Sequence, residues 1–176
     1  MKLKAEYLYY SFIALFVLTV SCTENEKSEI HEFDWNSKQI DLANSTNLEK
    51  GQTYLSIYSS IYSFTEQSTT NLTATASIRN INTEDTVYVT NASYYNTKGE
   101  LVRTYFDFPI YLAPLETIEI VVHQQDETGG TGGNFIFEWL KDSTINEPYF
   151  EAVMISMSAQ QGLSFSTKGQ RLIIND

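Results

Sequence analysis

Only one cysteine, Cys22, and two histidines, His31 and His123, occur in the 176 residues of this chain. A lone thiol closes no intramolecular disulfide, so the fold has no cross-link to rely on. Two imidazoles so far apart supply neither a His/Cys metal cluster nor a Cys/His nucleophile pair. Basic residues are also scarce, with 11 Lys and Arg against 22 Asp and Glu. An acidic surface repels phosphate backbones and anionic headgroups, and nucleic acid is therefore not an expected partner. No long amphipathic helical pattern is present, and the N-terminal apolar stretch, Tyr7 to Val20, spans 14 residues. A membrane-crossing helix needs roughly 18 to 20.

That run has the other marks of a secretory signal: Lys2 and Lys4 before it, small Ser21 after it, then Cys22. Leu18-Thr19-Val20-Ser21-Cys22 resembles the box read by lipoprotein signal peptidase, with Thr19 where Leu is more usual. The chemistry agrees, since a thiol accepts a diacylglyceryl group as a thioether and two or more acyl chains anchor stably. Residues 1–21 are expected to be a removable signal and Cys22 a lipidation site that ties the chain to the membrane. The expected address is the cell envelope, at the outer membrane, with periplasmic and surface-facing orientations both open. Without Lys2, Lys4 and Glu6 the mature chain keeps 9 basic and 21 acidic residues, a net charge of −12.

Residues 22–50 are mostly polar and acidic, which predicts a flexible tether. Acids close behind Cys22 resemble, loosely, signals that send lipoproteins to the cell surface. Phe33 and Trp35 interrupt the polarity; docking on the domain or on a partner is open to them, and a local contact without function is the favoured reading. From Gly51 onward, Tyr, Phe, Thr, Val and Ile favour strands. Leu72, Ala74, Ala76 and Ile78 alternate with Thr73, Thr75, Ser77 and Arg79, the period of a half-buried strand. Tyr54–Tyr62 is expected to be a further strand with Tyr54, Tyr58 and Tyr62 on one face. Thr86–Tyr95 and Glu100–Phe106 are expected to form a hairpin around Asn96-Thr97-Lys98-Gly99. Ile118, Ile120 and Val122 share a face of the next strand. Phe135, Phe137 and Trp139 share another, as do Val153, Ile155 and Met157, and Leu163–Ser166 with Arg171–Ile174 closes the edge. About eight strands over 51–176 predict an all-β, antiparallel sandwich of immunoglobulin-like type, with a small barrel as the alternative.

Several of these stretches together resemble the bacterial domain family DUF3124. They are Ser77-Ile78-Arg79-Asn80, Tyr94-Tyr95-Asn96-Thr97-Lys98-Gly99-Glu100-Leu101-Val102-Arg103, Gly129-Gly130-Thr131-Gly132-Gly133-Asn134-Phe135, Asn146-Glu147-Pro148, Glu151-Ala152-Val153-Met154-Ile155 and Gln161-Gly162-Leu163-Ser164-Phe165. Gly133 and Asn96 stand where the family pattern leads one to expect Ala and Asp. The resemblance implies one domain from Gly51 onward and carries over no catalytic residue.

The candidate ligand loop is Asp126-Glu127-Thr128-Gly129-Gly130-Thr131-Gly132-Gly133-Asn134. Its glycines permit positive φ and close backbone approach, so successive N–H groups are able to form an anion nest, or Asp126, Glu127 and Asn134 to offer oxygens to a cation. It lacks the Lys and helix of a P-loop. The competing reading is an irregular crossing between sheets that needs glycine for geometry alone. For catalysis, His123 stands at a strand end without a nucleophile elbow, and Glu138, Glu147 and Glu151 are the carboxylates from which a glycosidase pair would be drawn. No catalytic residue, cofactor or metal is expected. A polar patch from Gln160, Gln161, Ser164, Ser166, Asn146 and Glu147 is equally explained by turn capping. The N-x-[ST] matches at Asn44, Asn71 and Asn91 carry no weight in a bacterial envelope protein. The expected function is a non-catalytic module that presents loops or an edge strand to an envelope protein, with a small-ligand or ion site in the glycine loop as the alternative.

Overall fold

The computed structural model describes residues 33–43, 45–157 and 162–173. The expected signal, Cys22, His31, Asn44, Gln160 and Gln161 lie outside them. Among the described residues the strands are β1 (Leu48–Ser56), β2 (Ser60–Tyr62), β3 (Thr69–Asn71), β4 (Thr73–Arg79), β5 (Val87–Tyr95), β6 (Leu101–Phe106), β7 (Ile110–Leu112), β8 (Thr117–Val122), β9 (Asn134–Asp142), β10 (Tyr149–Ser156), β11 (Leu163–Lys168) and β12 (Gln170–Arg171). One sheet runs β12-β1-β9-β5-β6, with β7 also paired to β5; the second runs β11-β10-β4-β8; β2 and β3 form a separate ribbon. Every pairing is antiparallel. The two-sheet sandwich is as the strand pattern predicts, and the barrel alternative falls because neither sheet closes on itself.

The two inner faces differ in kind. The larger sheet presents Tyr94, Phe135, Phe137 and Trp139, all buried, while the smaller presents Ala74, Ala76 and Ala152 with Ile78, Ile120 and Met154. Ala76 and Ala152 are cross-strand partners, so the centre of the smaller sheet is shallow enough to receive rings from across the core. Tyr94, Phe135 and Phe137 stack at 5.1 and 5.2 Å between centroids, and Phe137 continues onto Phe150 of the opposite sheet at 4.6 Å. This column joins the sheets through offset aromatic contacts and large apolar burial.

The sides of the sandwich are unequal as well. β11 pairs with β10, yet two residues later β12 pairs with β1, so the chain switches sheets at Gly169 and closes that side. A Cβ there would stand 2.7 Å from Thr53 Cγ2 and 2.9 Å from Phe150 Cβ, which only glycine avoids. On the far side β8 ends the smaller sheet, and no strand among the described residues pairs with its outer edge.

Three expectations need correction. Val153, Ile155 and Met157 do not face the core: Phe150, Ala152, Met154 and Ser156 do, leaving Val153 39 %, Ile155 40 % and Met157 83 % exposed. β10 is apolar on both faces, so its period of two does not choose one; pairing with β4 and the Phe150 ring decide the phase. Tyr54–Tyr62 is not one strand. Ile57 N–H donates to Gly133 O (2.9 Å) and Ser59 N–H to Gly130 O (3.2 Å), which bends the chain away from β1 before β2 begins. Tyr54, Tyr58 and Tyr62 therefore form no single ladder.

The polar segment expected to be tether through Lys50 is also partly folded. Asp34 caps a 3-10 turn, Trp35–Lys38, by accepting from Asn36 N–H (3.1 Å). Trp35 lies between Phe33 (4.6 Å) and Phe106 (4.7 Å), Gln39 bridges to Ile110, and Ile40 N–H donates to Pro109 O (3.0 Å). Lys38 pairs with Glu116 and lies over the Tyr111 ring. Two aromatics among polar neighbours are enough to hold a short turn against the β6–β7 end.

Truncating the aromatic column at its midpoint leaves a cavity that the alanine-lined sheet has no side chain to fill. Phe137→Ala is expected to lower unfolding stability by about 3–5 kcal/mol in a denaturant titration.

Candidate functional site

The glycine loop leaves β8 in the smaller sheet and enters β9 at the centre of the larger, so it crosses one end of the sandwich. Its middle is a 3-10 turn, Gly130–Gly132, with Gly130 at φ +67. The tip of the β5–β6 hairpin clamps this turn. Thr97 donates to Gly129 O from both N–H (3.1 Å) and Oγ1 (3.0 Å), and Thr97 Oγ1 accepts from Gly132 N–H (2.9 Å). Gly130 N–H donates to Glu127 O (3.1 Å), and the carbonyls of Gly130 and Gly133 take the Ser59 and Ile57 N–H groups.

Beneath the loop stands the end of the aromatic column. The Tyr94 hydroxyl shares a hydrogen bond with Ser59 Oγ (2.8 Å), and a Cβ on Gly129 would fall 1.7 Å from that hydroxyl. Burial pushes the Tyr94 phenol above its ordinary pKa, against the opposing Ser59 hydrogen bond. Glycine at 129 is thus required by a buried tyrosine, with no ligand needed to explain it.

The polar candidates have protein partners too. Asp126 Oδ1 accepts from Thr128 N–H (3.1 Å) and Thr128 Oγ1 (2.5 Å), and its Oδ2 meets Arg103 at 3.3 Å. Burial raises the Asp126 pKa, but the Thr128 donors and Arg103 outweigh it and hold the carboxyl below its ordinary value. Glu127 Oε1 accepts from Asn71 Nδ2 (2.6 Å). Asn134, half-buried, is the first residue of β9, between Ser56 and Tyr95. The N–H groups of Gly130 and Gly132 that an anion nest would use are already donating inward, so the loop is built as a clasp between hairpin tip, β1–β2 bend and core.

The carboxylates weighed for catalysis are kept apart. Glu138 lies on the outer face of the larger sheet and accepts from Gln52 Nε2 (2.9 Å); Glu151 lies on the opposite outer face, paired with Arg79 (2.8 Å). Glu147 pairs with Arg171 (2.9 Å). His123 is exposed just beyond β8, its carbonyl accepting from Asp126 N–H (2.8 Å). Among the described residues no three His, Cys, Asp or Glu side chains converge as metal ligands. Ser164 and Ser166 lie on β11, away from Asn146.

One cluster was not legible as a cluster. Asn80 Nδ2 donates to the carbonyls of Asp85 (2.7 Å), Leu112 (3.0 Å) and Ala113 (3.0 Å), while its Oδ1 accepts from Asn82 N–H and Nδ2. Asn82 in turn exchanges hydrogen bonds with Asn146. These amides tie three loops at the end of the sandwich opposite the glycine clasp. Asn80 and Asn146 fall in two of the segments that carry the family resemblance, and Asn146 was also named in the polar patch, but nothing in the sequence joined them to Asn82. Arg171 gathers a second cluster, binding Glu49 (2.6 Å) and Glu147 and lying 5.0 Å over the Trp139 ring. Lys141 pairs with the same Glu49 (2.8 Å). Lys141 first, then Arg171, lowers the Glu49 pKa.

What the smaller sheet leaves uncovered is its outer face beside the open β8 edge. Val121, Thr75 and Val153 are register partners across β8, β4 and β10, and Ile155 follows on the next outward position. Val121 is 43 % exposed.

Two outcomes follow from the clasp. Gly129→Ala drives a methyl into the Tyr94 hydroxyl and is expected to cost about 1–3 kcal/mol. Adding Tyr94→Phe is expected to return part of that loss in a double-mutant cycle measured by urea unfolding. Because the folded Asp126 pKa is depressed, its contribution is present above the unfolded value of about 3.9 and is lost as pH falls through the folded one. Asp126→Asn is therefore expected to flatten the acid limb of a melting-temperature series recorded from neutral pH downward.

No curated protein matches the chain. A solved structure titled "Crystal Structure of Thermotoga maritima 1070" aligns over 69 % of this chain and 91 % of its own, at 9 % identity and a TM-score of 0.43. A family profile described as protein of unknown function, DUF3124, matches residues 50–172, from the third residue of β1 to just past β12. With most of its length covered, and both sheets within the match, the chain belongs to the DUF3124 family.

Proposed function

We propose that this protein is a lipoprotein of a bacterial cell envelope, anchored through an acylated Cys22 in the outer membrane, whose sandwich binds another envelope protein without catalysing a reaction. The anchoring half rests on the N-terminal pattern: Lys2 and Lys4, an uncharged run, Ser21 and the sole cysteine. The binding half rests on one observation, the β8 edge that no strand among the described residues pairs, beside exposed Val121, Val153 and Ile155. Edge strands are natural receptors for a further strand supplied by a partner. The glycine loop supports this reading over a small-ligand site, since its Gly130 and Gly132 N–H groups already donate to Glu127 O and Thr97 Oγ1.

Ten residues of sequence separate Cys22 from Phe33, and a stretch of that length spans at most about 35 Å; with Cys22 acylated, the domain meets partners at the membrane surface.

Metabolic labelling with a fatty acid is expected to mark the wild-type chain and not Cys22→Ser, and the mature N-terminus is expected to begin at residue 22. An unlabelled chain that retains Met1 refutes the anchor. Cross-linking in cells that recovers no specific protein refutes the binding role.

A further inference from the structure

We propose that β8 is a self-association edge: two copies pair their β8 strands antiparallel about a two-fold axis at Val121, making one continuous sheet of eight strands. This names an occupant for the edge on which the binding reading rests, and it needs no lipid anchor.

The edge is unguarded. Natural sheets blunt free edges with proline, bulges, short strands or several charges. β8 is six residues long, Thr-Ile-Glu-Ile-Val-Val, with no proline, one charge and an unbroken register against β4. The other edges differ: β12 has two residues, β11 turns into the opposite sheet, and β6 meets β5 through register shifts.

Its hydrogen-bonding phase is readable. Asn80 N–H donates to Glu116 O (2.9 Å), one step beyond the Arg79–Thr117 pair. In an antiparallel ladder the bonded residues alternate, so Glu116, Ile118, Ile120 and Val122 turn their backbone toward β4. Thr117, Glu119 and Val121 turn theirs outward, where nothing among the described strands receives them.

A two-fold pairing that keeps both cores on the same side must centre on a residue of β8, and charge separates the choices. Centring on Glu119 sets that carboxylate against its own copy. Centring on Ile120 sets Glu119 against Val121. Centring on Val121 sets Glu119 against His123 of the other copy, the one arrangement that opposes a carboxylate to an imidazole. Glu119 Oε1 accepts from Ser77 Oγ (3.2 Å), which leaves Oε2 for that contact. The His123 carbonyl keeps a second lone pair beside its bond from Asp126.

The same register also joins apolar surface. Val121 meets its own copy, so the outward row Val121, Thr75 and Val153 continues into the identical row of the second molecule. On the inner face Ile120 comes opposite Val122, extending the two cores toward each other.

The test uses the full-length protein solubilised in detergent. Bonded partners in an antiparallel pair have Cα atoms about 5.5 Å apart, within the range of a disulfide. Val121→Cys, at an exposed position, is expected to give a covalent dimer on oxidation with copper phenanthroline, whereas Thr117→Cys, which the register opposes to Gln125, is not. Light scattering is expected to show a dimer for the wild type, a dissociation constant at least tenfold weaker for His123→Glu, and recovery when Glu119→Lys is added. A wild-type monomer at about 100 µM overturns the proposal. So does a dimer that His123→Glu leaves unchanged, or equal cross-linking at positions 117 and 121. The wild-type chain run alongside reports any link through Cys22.

Discussion

The column of rings from Tyr94 through Phe135 and Phe137 to Phe150 is the contact that the rest of the molecule accommodates. Large rings fill the gap from one sheet and alanines make room on the other, so the sheets meet at a spacing set by aromatic thickness. With no disulfide available, this burial is what holds the two layers in register. The column also determines what lies at its ends. At one end the Tyr94 hydroxyl occupies the space where a side chain at 129 would project, and the loop above it must be glycine. Gly129 thus follows from the Tyr94 hydroxyl beneath it, and Gly130 from its positive φ.

The loop shows how composition and chemistry part company. Glycine runs suggest phosphate or cation binding because they free N–H groups and permit close approach. Here Gly130 and Gly132 N–H donate to Glu127 O and Thr97 Oγ1, and the carbonyls of Gly129, Gly130 and Gly133 accept from Thr97, Ser59 and Ile57. Asp126 and Glu127, which looked like ligands for a cation, serve Thr128, Arg103 and Asn71. At the other end of the sandwich the Asn80–Asn82–Asn146 amides do comparable work for three loops, each buried polar group meeting a partner. Polar side chains at both ends act as loop ties, while among the described strands none pairs with the outer edge of β8.

Sheet class and the hairpin at Asn96–Gly99 were legible because each rests on neighbours in sequence, whereas twelve strands form among the described residues where about eight were expected. The Asn96 side chain accepts from Lys98 and Glu100 N–H, and Gly99 takes φ +77, both local properties of that tetrapeptide. The facing of β10 was not legible, because Phe150, Ala152 and Met154 are as apolar as Val153 and Ile155. Nor was the folding of Phe33–Lys38, where two aromatics outweigh a polar majority only because Phe106 and Ile110 lie ready to receive them. The asparagine cluster depends on residues more than sixty positions apart.

By itself the amino-acid order determined an all-β chain with one cysteine behind an apolar run, since period-two alternation and turn residues act over a few positions. Tertiary structure decided which face of β10 is buried, where the chain changes sheets, why the loop is glycine and which edge stays open. Those outcomes depend on which distant side chains compete for the same volume, and volume is a property of the folded assembly.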